Sequence, residues 1–173
     1  MQAFRIEDLR TFMSALLTGS AFHHFEVVEA SLTTFVTFHI DGLRQRGYFD
    51  EDSSSEEKNE NTADSASPRY ITWETLQPHM YELIRGKRTP LLMRLVLRLS
   101  DANTAKVLEA SHLSYRIADI SGLYLNIRFE KGTTSCITGT SLNIFTADKT
   151  LEHTWDELIA KLLRKEQIAF TVM

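Results

Sequence analysis

The 173-residue sequence predicts an α+β fold. Three patterns carry that expectation: apolar residues at helical spacing in some stretches, period-two alternation in others, and turn residues between them. The order of these patterns predicts two β-α-β-β type repeats in an antiparallel or mixed sheet. The helices would pack on one side, and a long C-terminal helix would close the chain. At this length folding hides about 70% of the unfolded surface, so residues 1–173 can form a single domain without a disulfide or a metal staple.

Leu9, Phe12, Met13, Leu16 and Leu17 make one apolar stripe and predict a helix over about 8–18, stopped at Gly19. Residues 25–40 are rich in Val, Thr and Phe. Positions 28, 30, 32, 34, 36, 38 and 40 form one largely apolar face, which predicts two strands broken near Ser31. Asp41-Gly42 reads as a two-residue hairpin turn, with a third strand returning over 43–49. Tyr70 and Ile71 predict a short strand. Leu76, Met80, Leu83 and Ile84 then line a helix capped by Thr75 and stopped by Gly86. Residues 91–99 predict a strand with Met93, Leu95, Leu97 and Leu99 on one face and Arg94 and Arg98 on the other. Ser100 caps a short helix to about Ala110. Residues 123–130 and 133–140 pair around Lys131-Gly132. Asp148 caps the last helix, striped by Leu151, Trp155, Leu158, Ile159, Leu162 and Leu163, and residues 168–172 add a strand.

The two early helices match at a constant offset of 67: Glu7, Leu9, Met13, Leu16 and Gly19 against Glu74, Leu76, Met80, Leu83 and Gly86. Convergence of amphipathic helices or duplication of a β-α-β-β unit both produce such a match.

Charge is unevenly distributed. The net charge is −4, yet seven acids and one base give residues 50–68 a charge of −6, leaving about +2 elsewhere. With almost no large apolar residue, that stretch predicts a mobile acidic loop at about 50–68. It is either a plain surface insertion or an acidic tether that shields a basic surface. The densest basic cluster is Arg85-Gly86-Lys87-Arg88-Thr89-Pro90, extended by Arg94 and Arg98. Such cations complement a helix C-terminus, and they also suit an anion-binding surface for nucleic acid or a phosphorylated ligand.

Chemical motifs are few. The seven glycines yield no phosphate loop, dinucleotide fingerprint or hydrolase elbow. No catalytic residue, cofactor or metal site is assigned. His23 or His24 with His39 could share a metal only if the fold brought them together. Cys136, the single cysteine, excludes an intramolecular disulfide and reads as a buried small residue. Asp148, Glu152 and Asp156 place carboxylates along the last helix. With no secretory leader and no apolar run of membrane-spanning length, the expected location is cytoplasmic, with no membrane partner. The functional expectation is a non-enzymatic binding or accessory module. An enzyme with a scattered site is the alternative.

Four segments carry a resemblance: Glu29-Ala-Ser-Leu-Thr-Thr-Phe to Asp41-Gly42, Leu83 to Pro90, Gly122 to Phe129, and Thr138-Gly-Thr-Ser-Leu to Glu152-His-Thr-Trp-Asp156. Through them the chain resembles an uncharacterised family of small bacterial proteins of unknown function, chiefly from Gram-positive anaerobes. That family implies no site. In element order alone the chain is also similar to the domain of DNA sliding clamps, in which paired helices face DNA. The added helices at 101–110 and 149–165 depart from that pattern.

Overall fold

A computed structural model describes residues 1–45, 48, 69–86 and 88–173. The expected acidic loop and Lys87 lie outside the described residues. Along the chain run β1 (Ala3–Ile6), α1 (Leu9–Leu17), β2 (Phe25–Thr33), β3 (Thr37–Asp41), β4 (Ile71–Thr72), α2 (Trp73–Ile84) and β5 (Leu92–Leu99). They are followed by α3 (Asp101–Ala110), a 3-10 turn (Ile117–Asp119), β6 (Ile120–Glu130), β7 (Thr133–Leu142), α4 (Thr150–Lys165) and β8 (Phe170–Val172). The fold is α+β. One eight-stranded sheet has the order β3-β2-β5-β6-β7-β1-β8, with β4 attached to β2. Every strand pairing is antiparallel.

The four helices among the described residues all bury side chains in one core cluster. Phe12 and Leu16 of α1, Trp73 and Met80 of α2, Leu108 of α3, and Trp155 and Ile159 of α4 meet Met93, Leu95, Leu97 and Leu125 of the central strands. Removal of these side chains from water is the main favourable contribution to folding. Buried donors find partners as well. The Trp73 indole N–H donates to the Leu16 carbonyl (2.9 Å), as does the Gln77 amide (2.8 Å), so α1 and α2 are tied side by side.

Several sequence expectations shift. The break between β2 and β3 lies at residues 34–36, where the Thr34 N–H donates to the Val36 carbonyl. Ser31 stays within β2, paired to Arg94. β2 also carries a bulge: Val27 pairs Leu97 and Glu29 pairs Val96, so Val28 is an extra residue. The extra residue reverses the alternation. Phe25 and Val27 therefore join Ala30 and Leu32 in the core, and Val28 does not continue that face.

Asp41-Gly42 is not a hairpin turn. The Gly42 N–H donates to the Val28 carbonyl, and Leu43 bridges Tyr70. A Cβ on Gly42 would lie 1.6 Å from the Val27 oxygen, so close backbone approach explains the glycine. Of the proposed third strand, Arg46, Gly47 and Phe49 lie outside the described residues.

In α2, Thr72 rather than Thr75 is the cap, accepting from the Thr75 N–H, and Pro78 lies inside the helix. Arg85 ends α2 in an extended conformation, with no left-handed glycine at its end. The Lys131-Gly132 turn does form as expected, both residues having positive φ (50° and 77°). Lys149 rather than Asp148 precedes α4, although Asp148 still accepts from the Thr150 N–H at 2.9 Å. The last helix has 16 residues.

Candidate functional site

Strand alternation leaves one face of the sheet turned away from the core. On β5 the buried set is Met93, Leu95, Leu97 and Leu99, so Arg94, Val96 and Arg98 point to the opposite face. The register then aligns polar side chains across the strands. Ser31 pairs Arg94, Arg94 pairs Arg128, Arg128 pairs Ser135, and Ser135 pairs Arg5. Three exposed arginines thus share one transverse row: Arg94 and Arg128 on neighbouring strands about 5 Å apart, and Arg5 about 10 Å further across β7.

The expected cluster divides along its length. Arg85 is exposed at the end of α2 and pairs with Glu82 (3.0 Å). Arg88 is exposed in the same turn. Arg88, Arg94 and Arg5 have no carboxylate within 4 Å among the described residues. Arg128 pairs with Glu130.

Arg98 is different. Its Nη1 donates to Glu26 (3.1 Å), its Nη2 to Asp101, and its Nε and Nη2 to the Ser121 carbonyl (3.3 and 3.2 Å). Both bulges serve this group, since Val28 shifts Glu26 beside Arg98 and a second irregularity at Ile120/Gly122 exposes the Ser121 carbonyl. Glu26 is 4% exposed. Burial pushes its carboxyl above the usual carboxylate range, outweighing the lowering pull of Arg98. Arg98 is therefore a partly buried structural cation, and the row lies at Arg94.

The same end of the sheet exposes apolar groups. Phe35 (88% exposed) sits in the β2–β3 turn, and Leu91 is joined to that turn through Thr33 (2.9 Å). Lys131 is exposed in the β6–β7 turn beside Glu130. Acids occupy the other corner, where Glu29 pairs Asp41 across β2 and β3. The face is thus polarised, with cations across β5, β6 and β1 and carboxylates toward the edge.

No local sequence signal singles out Arg5 and Arg128. Both stand at the polar phase of an alternating strand, but only strand order and register show that they share a row with Arg94. The remaining candidates do not converge. His23 lies in a turn, with Nε2 hydrogen-bonded to Gln77 (2.9 Å), while His39 is on edge strand β3. Among the described residues no group of three His, Cys, Asp or Glu could hold a metal. Cys136 is fully buried, and burial pushes its thiol up, so it is a poor nucleophile. Asp148 binds Thr150 and Tyr115, whereas Glu152 and Asp156 take the Met1 ammonium and Thr138 donates to Asp156. Among the described residues no helix is long and apolar enough to cross a membrane.

An α+β protein with helices in one core and a polar sheet face bearing a row of arginines is the class that fold and surface define. The chain belongs to DUF5721, a family of unknown function, whose family model matches residues 15–171. No curated protein and no solved structure matches it.

Proposed function

We propose that the chain is a non-enzymatic binding module that holds a phosphate-bearing polymer, with nucleic acid as the leading candidate, against the exposed sheet face and the α2–β5 turn. The carrying observation is the alignment of Arg94, Arg128 and Arg5 in one register row, with Arg88 exposed in the turn that leads into β5. Guanidinium groups fork onto phosphate oxygens, and a row of them suits a linear polyanion. Exposed Phe35 offers a stacking surface at the same end. Lys87, adjacent in sequence, adds a cation to this reading. The acidic stretch over 50–68 would act as an internal competitor, and the protein would act in the cytoplasm. A duplicated origin for the two halves is proposed with it, supported by the side-by-side packing of the matched helices α1 and α2; kinship with clamp domains rests on element order alone.

The test is fluorescence anisotropy with single- and double-stranded DNA and RNA at about 50 and 200 mM salt. Affinity should fall steeply between the two salts. Arg88→Ala with Arg94→Ala should weaken binding without shifting the melting temperature, because exposed charges contribute little to stability. Replacing residues 51–67 by a short Gly/Ser linker should tighten it. No binding at the lower salt, even by the shortened protein, overturns the reading.

A further inference from the structure

On the core side, α3 rests on β6 and the 3-10 turn and buries only Thr104 and Leu108. Its Val107 and Ala110 instead line an apolar groove of about 310 Å³ shared with α4. The floor is Phe25, Leu99, Trp155, Ile159 and the half-buried Leu158 and Leu162. Trp155 is buried at the base of the groove, its indole N–H donating to the Tyr124 carbonyl (2.8 Å), so it leaves no unpaired polar group there. Among the described residues the ionisable groups lining the groove are Lys106 and His24, and no carboxylate lines it. Among the described residues Lys106 donates only to the neutral Asn103 amide, at 3.4 Å.

We infer that this groove is a binding site for a small amphiphile with an aliphatic tail and one anionic head, the class of straight-chain carboxylates. The volume lies at the lower end of small-ligand sites, which are mostly apolar with a few placed polar groups. The tail replaces water against Val107, Leu158 and Leu162, and the carboxylate meets Lys106 at the mouth, with the His24 imidazole as a second donor. A cationic head would face Lys106 and be disfavoured. This site is independent of the arginine row, which belongs to the opposite face of the sheet.

Trp155 is the natural reporter because it lines the groove, whereas the other tryptophan, Trp73, is held beside α1 and does not line it. The full chain is titrated with sodium decanoate, decanol and decylammonium below their micelle concentrations, following tryptophan emission and melting temperature. Decanoate should bind saturably, shift the emission, raise the melting temperature by mass action, and bind at least about ten-fold tighter than decylammonium. Lys106→Glu, a surface change, should reverse the order of the two charged probes. Ala110→Trp should fill the groove and abolish decanoate binding while the protein still melts cooperatively. The proposal is overturned if decanoate does not saturate, if decylammonium binds equally well, or if Ala110→Trp leaves decanoate binding intact. It is equally overturned if only an acidic amphipathic peptide binds, which would make the groove a protein-docking surface.

Discussion

Arg94 and Arg98 stand on one strand, on one face, four residues apart, yet they live in different surroundings. Arg98 is held at the end of β5 where two bulges and the first turn of α3 converge, and its side chain is only 12% exposed. Arg94, within the regular part of the ladder, faces solvent opposite Ser31 and Arg128. Identical side chains thus become a partly buried ion-pair hub in one region and a solvent-facing cation in the other. The irregularities of the neighbouring strands make the difference, because they decide which polar groups reach the guanidinium.

The sharpest way to break this comparison is Arg98→Met. It leaves Glu26 buried without its cation, and loss of one partner of a buried pair costs about 3–5 kcal/mol. Equilibrium urea unfolding should show that loss. A stability within about 1 kcal/mol of the parent would mean that Arg98 is no more structural than Arg94.

A second, smaller effect tests the cause. Glu26→Gln combined with Arg98→Met removes the stranded charge and should recover much of the loss. The pH dependence has a defined sign. Burial raises the folded-state value of Glu26 above its unfolded value, so its contribution to stability is complete below about pH 4 and declines as pH rises through the folded value. Without Arg98 that folded value moves higher. The deficit of Arg98→Met should therefore widen as pH rises from about 4 to 7, and the double variant should show no such widening. A deficit constant across that range would place the cost in lost packing rather than in the Glu26 charge.

The smallest stability effect belongs to Arg94→Met, expected within about 0.5 kcal/mol of the parent by the same unfolding measurement. Its consequence should appear instead in polyanion binding, as a salt slope reduced by about one. A destabilisation as large as that of Arg98→Met would erase the distinction between the two positions.

Helices, hairpin and core strands were legible because their signals are local. The stripe of α4, the alternation of β5, the Ser100 cap and the Lys131-Gly132 turn each rest on a few adjacent residues whose backbone preferences and burial agree. The cluster at 85–90 was visible as composition, and Arg94 was assigned to the polar face of its strand. What the sequence by itself determined, then, was helices α1 to α4, strand β5 and the β6–β7 hairpin, with the apolar stripes they bury. Tertiary structure alone decided the rest. Sheet order placed β1 beside β7, which carried Arg5 into line with Arg94 and Arg128. One unpaired residue, Val28, turned Glu26 from an expected strand position into the partner of Arg98. Neither event leaves a local mark: neighbouring strands are joined by hydrogen bonds between residues far apart in the chain, and a bulge exists only relative to the strand it faces.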